Sequence, residues 1–423
     1  MFDGFSYREG RLCGEETPLE DIAAQTGTPV YVYSREALHK AWQKPVQAFT
    51  GINPLICFAV KANSSRALMA LLASWGAGAD IVSGGEMQRA IWAGLDPGKI
   101  VYSGVGKTGA EIEAALKAGI LLFNVESAAE LGLVNETAGR LGVRAPVGLR
   151  VNPDVDAKTH PKITTGLAAN KFGLAADEAL AQYKLATRMP HLEVKGISCH
   201  IGSQITDTLP FADAAGRLLD LSKRLESLGI TLEYLDMGGG LGITYQDEEP
   251  PAWREYAAAV APLLRQSGLK LILEPGRSLV GNAGVLLTRV LFTKQGPRKK
   301  FAVVDAAMND LLRPSMYDAY HRILPLRAPT TAAAETVDVV GPICESGDYL
   351  ARERELPPLE SGDYLAVMSA GAYGFSMSSN YNSRPQPPEV MIKGKEWELI
   401  RPRQTVEALC AGERLPGWMK NND

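Results

Sequence analysis

Short apolar runs alternate with amphipathic segments over the first two thirds of the chain. The apolar runs predict eight strands, at residues 55–60, 79–82, 100–103, 120–125, 147–151, 194–200, 232–237 and 271–273. Between them, apolar residues recur every three to four positions, which is typical of amphipathic helices. Repeated strand and helix predict parallel strands joined by right-handed crossovers. Eight such units predict a TIM-type (β/α)8 barrel, and a doubly wound open sheet is the alternative.

The pattern changes after about residue 285, where strands predominate. Apolar runs at 285–292, 301–305, 337–340, 364–368, 389–392 and 397–400 are joined by segments containing Pro and Gly. This arrangement predicts a mostly antiparallel β-domain. The alternating stretch 29–33 predicts a further strand of that domain, with no helix directly after it. We therefore predict a barrel domain at 36–283 and a β-rich domain formed by 1–35 and 284–423.

Composition narrows the classes of function. A chain of 423 residues is long enough for a barrel plus an appended domain. Its net charge of -4 gives no electrostatic reason to expect nucleic acid or an anionic membrane as a partner. We see no apolar leader and no membrane-spanning run, so we expect a cytoplasmic protein with a small-molecule substrate. The five scattered cysteines form no C-x-x-C pair, which favours reduced thiols and no metal site.

Lys61 directly follows the first predicted barrel strand. Considered alone, a lysine in this position is most often a solvated strand end. The alternative is a lysine with a lowered pKa that forms a Schiff base with a carbonyl cofactor. The ends of the other strands decide between these two interpretations.

Unusual residues also follow strands six, seven and eight, at 200–204 (HIGSQ), 238–242 (GGGLG) and 274–277 (EPGR). A core histidine and ordinary tight turns are the simpler explanations. However, active sites of TIM barrels form at the carboxyl ends of the strands, where the loops after strands seven and eight commonly bind phosphate. A dinucleotide-binding fingerprint would instead follow the first strand. A lysine, a phosphate loop and a carboxylate able to pair with a pyridinium nitrogen, Glu274, together predict pyridoxal 5'-phosphate.

Seven motifs in this order resemble the diaminopimelate decarboxylase family, which has the alanine racemase-like fold of pyridoxal-phosphate enzymes. The resemblance covers essentially the whole chain. Its motifs are FAVKAN at 58–63, RVNPDV at 150–155, HIGSQ at 200–204, EPGR at 274–277, RPSMY at 313–317, CESGD at 344–348 and GAYG at 371–374. Two residues depart from the family pattern: Phe58 stands where tyrosine is frequent, and Ser346 where threonine is frequent.

The resemblance implies roles for barrel residues in binding the cofactor. Lys61 is expected to bind it covalently, His200 to lie against its pyridine ring, and Glu274 to hydrogen-bond the ring nitrogen. A carboxylate there keeps the nitrogen protonated, so that the ring accepts the electron pair left by carbon dioxide. The phosphate and its surroundings are assigned to Ser203, Gly239, Gly240, Gly276 and Arg277, with Tyr373 closing the site.

The resemblance also implies how the substrate is bound. Arg313 and Tyr317 are expected to hold a distal carboxylate, and Glu345 a distal ammonium, with Arg277 and Tyr373 also contacting substrate. Cys344 is the expected proton donor, since acidic neighbours favour a neutral thiol. In this family the C-terminal domain of one subunit completes the active site of the other, so we expect a homodimer with shared sites.

The predicted reaction is decarboxylation of meso-diaminopimelate at its D-centre, which gives L-lysine and carbon dioxide. A decarboxylase acting on ornithine, arginine or a carboxylated polyamine is the nearest alternative, and Arg313 disfavours it. A racemase of this fold favours arginine at the ring nitrogen, whereas this chain has Glu274. A catalytically inert cofactor-binding protein would need neither Cys344 nor Arg313.

Overall fold

The computed structural model describes residues 4–156, 171–329 and 333–419. The chain forms two compact units. One is Leu38–Gly281, and the other combines Met1–Ala37 with Asn282–Asp423. We call them the barrel unit and the β-rich unit. In the described part of the chain, we find no helix with the length and apolar character needed to cross a membrane.

The N-terminal segment begins with a small antiparallel sheet. Its strands are β1 (Phe5–Arg8), β2 (Arg11–Gly14) and β3 (Thr17–Pro18), followed by helix α1 (Leu19–Thr26), strand β4 (Val30–Ser34) and helix α2 (Arg35–Ala48). The prediction of no helix directly after β4 was therefore wrong. Pro45 lies inside α2, and a proline within a segment argues against a helix when the sequence is considered alone. Leu38 and Trp42, four residues apart, are nevertheless both buried.

Eight parallel strands close into a barrel, which confirms the predicted fold and excludes the open sheet. The strands are β5 (Leu55–Ala59), β6 (Gly78–Ile81), β7 (Ile100–Tyr102), β8 (Leu122–Val125), β9 (Ala145–Arg150), β10 (Leu192–Ser198), β11 (Tyr234–Asp236) and β12 (Lys270–Leu273). The helices of this unit after α2 are α3 (Arg66–Ser74), α4 (Gly84–Trp92), α5 (Gly109–Ala118), α6 (Ala128–Leu141), α7 (Ala176–Ala186), α8 (Leu209–Glu226), α9 (Trp253–Leu264) and the short α10 (Arg277–Val280).

Three successive strand–helix turns share one capping pattern. The residues before α4, α5 and α6 are Ser83, Thr108 and Ser127, and each side chain accepts a hydrogen bond from the backbone N–H of a glutamate three residues later. Such caps satisfy N–H groups that the first helical turn leaves without partners. They therefore fix the points where the chain leaves the carboxyl ends of β6, β7 and β8.

The barrel interior changes character along its axis. An apolar cluster of Cys57, Val101, Leu122 and Ile272 fills one level, and each of these residues is fully buried. Nearer the carboxyl ends of the strands, the buried side chains are polar: Asp80, Asn124, Ser198 and Asp236. Because buried polar groups are costly unless they have partners, this polar level marks the functional end of the barrel.

The β-rich unit is built on a nine-stranded mixed sheet. After β4, its elements are β13 (Gly284–Gln295), β14 (Lys300–Val304), α11 (Arg313–Tyr317), β15 (Ile323–Pro325), β16 (Glu335–Val340), β17 (Tyr349–Leu356), β18 (Tyr364–Val367), β19 (Glu389–Lys393), β20 (Glu396–Arg401) and α12 (Val406–Cys410). The strand order is β17-β16-β14-β13-β4-β19-β20, with β18 paired to β13 and to β15. Two pairs, β14–β16 and β4–β19, are parallel and the rest are antiparallel. The predicted joining of strand 29–33 to this sheet is confirmed.

Candidate active site

A cavity of about 400 Å³ opens at the carboxyl ends of the barrel strands. This volume lies within the range of small-molecule sites. Its lining residues are Lys61, Val82, Ser103, Gly104, Val105, Gly106, Asn124, Arg150, Phe172, Ser198, Cys199, His200, Asp236 and Glu274. Three residues predicted from the sequence to form the site, Lys61, His200 and Glu274, therefore share one cavity.

Lys61 lies in a single 3₁₀ turn, Val60–Ala62, immediately after β5. Its ammonium forms an ion pair with Asp80, which is completely buried on the neighbouring strand β6. The other carboxylate oxygen of Asp80, Oδ1, is buried and has no hydrogen-bond partner among the described residues. The Asp80 carboxylate thus holds the lysine at the strand end, and its Oδ1 can accept a hydrogen bond from one more donor.

Glu274 follows β12 and is buried beside Asp236, the last residue of β11. Burial, together with the negative charges of Asp236 and Asp80, raises the pKa of Glu274 well above its ordinary value. Burial also raises the pKa of Asp236 to about 6. Burial thus favours the protonated form of Glu274, whose carboxyl group shares a hydrogen bond with that of Asp236. The carboxyl groups of Glu274, Asp236 and Asp80 therefore interact at this end of the barrel.

A small network fixes the orientation of Asp236. Its carboxylate accepts hydrogen bonds from the backbone N–H of Gly238 (2.9 Å) and from Asn124 Nδ2 (2.8 Å). Asn124 also donates to Ser103 Oγ at 3.1 Å, and Ser103 lies 3.4 Å from Glu274 Oε1. Asn124 Oδ1 and Ser198 Oγ are buried without hydrogen-bond partners in the described structure. Since buried polar atoms are rarely left unsatisfied, these two are suited to a polar ligand in the cavity.

His200 follows β10 and presents a neutral ring. Its Nδ1 accepts a hydrogen bond from the backbone N–H of Gly239 at 3.2 Å, which places the ring hydrogen on Nε2. Burial, reinforced by the positive charges of Arg150 and Lys61, holds the pKa of His200 well below its ordinary value. The imidazole therefore offers an uncharged aromatic surface.

The glycine loop after β11 packs too tightly for side chains. Gly238 and Gly240 have φ of +64° and +116°, which L-residues with a side chain rarely adopt. A Cβ on Gly239 would lie 2.3 Å from the carbonyl oxygen of Glu274, and one on Gly240 would lie 2.6 Å from that of Gly202. The loop is therefore pressed against the segments that follow β10 and β12.

Arg277 joins this group of residues at the start of α10. Its buried guanidinium donates hydrogen bonds to Ser203 Oγ at 2.9 Å and to the hydroxyl of Tyr245 at 2.6 Å. A Cβ on Gly276 would lie 2.9 Å from Cβ of Ala62, next to Lys61. Ser203, the glycine loop and Arg277 thus meet on one side of the barrel end.

The β-rich unit carries the remaining predicted residues. Arg313 and Tyr317 lie four residues apart at the two ends of α11, and Arg313 is buried. Tyr373 is half-buried, and its φ of +55° lies in the left-handed region. In a tyrosine this conformation is uncommon and marks a locally constrained backbone.

Cys344 and Glu345 lie on the loop between β16 and β17, and both are exposed in the single chain. The backbone N–H of Cys344 donates to Asn382 Oδ1 at 2.8 Å. Asp348, at the end of this loop, accepts hydrogen bonds from the backbone N–H groups of Ile343 and Met308, both at 2.7 Å. These bonds fix the backbone on each side of the thiol.

Four polar residues of the barrel end were not identified from the sequence: Asp80, Asn124, Asp236 and Tyr245. Arg150 opens the motif at 150–155 but was given no role. Asp80, Asn124 and Asp236 each interrupt an otherwise apolar strand, and this interruption is the signal that was available. Arg150 ends β9, pairs with Glu126 at 2.8 Å and lies 4.9 Å from the ring centre of Phe172. It therefore brings a buried, oriented cation to the cavity wall.

Comparison with known proteins gives a consistent result. Residues 35–281 match a family model described as "Pyridoxal-dependent decarboxylase, pyridoxal binding domain". The chain is 53% identical over 413 residues to a diaminopimelate decarboxylase of Pseudomonas aeruginosa, covering 98% of this chain and 99% of that protein. It is 52% identical over 415 residues to one of Vibrio cholerae, with the same shares covered.

Solved structures agree with the sequence relatives. The crystal structure of diaminopimelate decarboxylase from Helicobacter pylori complexed with L-lysine has a TM-score of 0.89 and 43% identity, covering 93% of this chain and 98% of that one. The crystal structure of diaminopimelate decarboxylase from m. jannaschi has a TM-score of 0.94 and 41% identity, covering 98% of this chain and 99% of that one. The alanine racemase-like fold and the dependence on pyridoxal phosphate predicted above are thereby confirmed. The chain belongs to the diaminopimelate decarboxylase family of pyridoxal-dependent decarboxylases.

Proposed function

We propose that this chain decarboxylates meso-2,6-diaminopimelate to L-lysine and carbon dioxide, the last step of lysine biosynthesis, with pyridoxal 5'-phosphate as cofactor. One observation carries the proposal: Lys61, neutral His200 and Glu274 line a single cavity beside a glycine loop. The relative from Helicobacter pylori, which was solved with L-lysine bound, supports the choice of product. A cytoplasmic location, expected from the sequence, belongs to the same proposal.

The residues of the cavity fit the cofactor. Buried Asn124 Oδ1 and Ser198 Oγ need polar partners, and the three carboxyl groups favour a cationic ring. Lys61 would hold the cofactor covalently, and His200 would contact its ring. The phosphate would be bound by residues of the glycine loop and its neighbours: Ser203, Gly239, Gly240, Gly276 and Arg277. When bound, the cofactor supplies an electron sink for the electron pair that carbon dioxide leaves behind.

Glu274, His200 and Asp80 set the charges and proton positions at this end of the barrel. As a carboxylate, Glu274 would accept a hydrogen bond from a protonated ring nitrogen and keep the ring positively charged, and burial beside Asp236 and Asp80 raises its pKa, which favours such a cationic partner. His200 is neutral and does not oppose that charge. Asp80 holds Nζ of Lys61 at the strand end through their ion pair. These residues would therefore set the charge at the ring nitrogen, at the imidazole and at Nζ of Lys61.

Residues of the β-rich unit are proposed to select the substrate and complete the reaction. Arg313 and Tyr317 would bind the distal carboxylate, and Glu345 the distal ammonium, while Tyr373 would contact both cofactor and substrate. The thiol of Cys344 would donate a proton to the carbon that has lost carbon dioxide. By resemblance to the family, we also propose a homodimer in which Cys344 and Glu345 serve the active site of the other subunit. Their exposure in the single chain is consistent with this arrangement.

Product identification tests the activity directly. Purified protein loaded with pyridoxal phosphate is offered meso-diaminopimelate, ornithine and arginine in parallel, and carbon dioxide and amine products are measured. We expect L-lysine from meso-diaminopimelate and little product from the other two. Arg313→Ala should lower kcat/KM for meso-diaminopimelate at least about 30-fold, because it leaves a desolvated carboxylate unpaired. Arg298→Ala, at an exposed position, is the matched control and should change little. Comparable rates with ornithine would contradict the proposal.

Mixing two impaired variants tests the shared site. Cys344→Ala and Lys61→Ala proteins are combined under conditions of proven subunit exchange. If Cys344 acts on the partner's site, each heterodimer contains one complete site and activity rises well above that of either variant. If both residues act within one subunit, every site lacks one of them, and the mixture shows no such rise.

A further inference from the structure

Arg313 is held by a histidine that the sequence motifs did not single out. His321 is completely buried, and its Nε2 lies 2.8 Å from Nη1 of Arg313. On the other side of the ring, Nδ1 lies 2.8 Å from the carbonyl oxygen of Met368. The imidazole thus bridges a guanidinium and a backbone carbonyl.

The two partners determine the protonation state of the ring. A guanidinium is only a donor, so Nε2 must accept, and a carbonyl is only an acceptor, so Nδ1 must carry the hydrogen. Both hydrogen bonds form together only in the neutral Nδ1–H tautomer. A protonated ring would present a donor and a positive charge to Arg313. His321 therefore serves this contact as a neutral acceptor.

The ring is positioned by the scaffold independently of Arg313. The carbonyl of His321 accepts a hydrogen bond from Nη1 of Arg354 on β17, at 2.8 Å. The next residue, Arg322, accepts one from the backbone N–H of Met368, also at 2.8 Å. His321 is thus tied to β17 by its backbone, and to the end of β18 by its ring and its neighbour. It can orient the guanidinium because its own position is fixed.

The group that accepts the hydrogen bond from Arg313 is a neutral imidazole and not a carboxylate. A carboxylate would orient the guanidinium equally well, but it would neutralise the positive charge and compete with an anionic ligand. A neutral imidazole orients the guanidinium without adding a negative charge that would compete with the ligand. We propose that His321 is a positioning residue that aims Arg313 at the distal carboxylate of the substrate without neutralising it. This inference rests on the role of Arg313 in the proposed function.

Paired variants test the acceptor. His321→Asn keeps a donor near Nδ1 but has no acceptor that reaches Arg313, whereas His321→Gln can place an amide oxygen near the position of Nε2. With holoenzyme and meso-diaminopimelate, we expect Asn to raise KM about tenfold or more, because a hydrogen bond to a charged group is lost. We expect kcat to change less than about twofold, and Gln to recover most of the affinity. The absorbance of the bound cofactor should match wild type in both variants.

The same substitutions in the Arg313→Ala background complete the test. If His321 acts through Arg313, the effect of His321→Asn on KM disappears in that background. A normal KM in His321→Asn, an equal loss in Asn and Gln, or a loss that persists without Arg313 would each overturn the inference in favour of a purely structural histidine. Failure of the proposed function is recognised separately, since Arg313→Ala alone would then leave kcat/KM for meso-diaminopimelate unchanged.

Discussion

Replacing Gly239 by alanine tests whether the glycine loop sets the position of Glu274. The added Cβ would lie 2.3 Å from the carbonyl oxygen of Glu274. Contacts of a Cβ below 3.0 Å are essentially never observed, so one of the two segments must move by at least about 0.7 Å. The obstacle is backbone and not the end of a flexible side chain, so the movement cannot be absorbed by a rotamer change.

The magnitude follows from this displacement. Overpacking at a tight site costs about 1 to 3 kcal/mol of folding free energy. A shift approaching 1 Å at a catalytic group costs about 10²-fold in rate. We therefore expect Gly239→Ala to lower cofactor affinity at least about tenfold and kcat about 10²-fold, while the protein remains folded. Gly240→Ala should be worse, because it combines a Cβ contact of 2.6 Å with a φ of +116°.

Equilibrium dialysis of pyridoxal phosphate, urea unfolding and steady-state kinetics measure these effects together. Gly216→Ala is the matched control: Gly216 lies inside α8, and a Cβ there meets nothing within 4 Å. It should raise the free energy of unfolding by up to about 1 kcal/mol and leave cofactor binding unchanged. Wild-type cofactor affinity and kcat in Gly239→Ala would refute the reasoning, since the loop would then tolerate a side chain without moving Glu274.

Three further predictions address single groups. Borohydride reduction of the holoenzyme followed by peptide mapping should label Lys61. It should not label Lys107, because the buried ammonium of Lys107 is paired with Glu130 at 2.7 Å. A label on Lys107 would refute the assignment. Cys344→Ala should lower kcat about 10²-fold or more while cofactor binding is retained. Cys410→Ala, which removes another exposed thiol, should not lower kcat. Equal kcat values in the two variants would exclude Cys344 as the proton donor. In cofactor-free protein, burial raises the pKa of Asp236 from 3.8 to about 6, so the folded state binds that proton more tightly than the unfolded state. The resulting stabilisation is present below pH of about 4 and is lost as pH rises through about 6. Urea unfolding should show wild type losing up to about 3 kcal/mol relative to Asp236→Asn across that window, and a flat difference would contradict the shifted pKa.

The barrel was predictable because its signal is local. Each buried strand is a short apolar run, each helix has its own periodicity, and their alternation specifies parallel pairing. Lys61 and Glu274 could be located for the same reason, since the end of a strand can be recognised in the local sequence without knowing which strands lie beside it. Helix α2 was missed because Pro45 argues locally against a helix, while burial of Leu38 and Trp42 stabilises it.

The polar network of the site could not be predicted in the same way. The hydrogen bond between Asn124 and Asp236 joins residues that are 112 positions apart, and no local pattern indicates which strands will face each other across a closed barrel. The acceptor role of His321 depends likewise on Arg313 and on the carbonyl of Met368, 47 residues later. Sequence motifs identify residues whose side chains are capable of catalysis or binding. The neighbouring groups that set the charge of those side chains are brought together only by tertiary contacts.

Those partners suggest a common electrostatic principle at two places in the chain. In the barrel unit, three carboxyl groups interact, and burial beside Asp236 and Asp80 raises the pKa of Glu274 well above its ordinary value. A cationic ring would stabilise the ionised form of these carboxyl groups, so this end of the barrel favours a positively charged ligand. In the β-rich unit, Arg313 contacts neutral His321, which adds no negative charge beside the guanidinium. In both places the chain fixes the position of an ionisable group that suits a ligand of opposite charge.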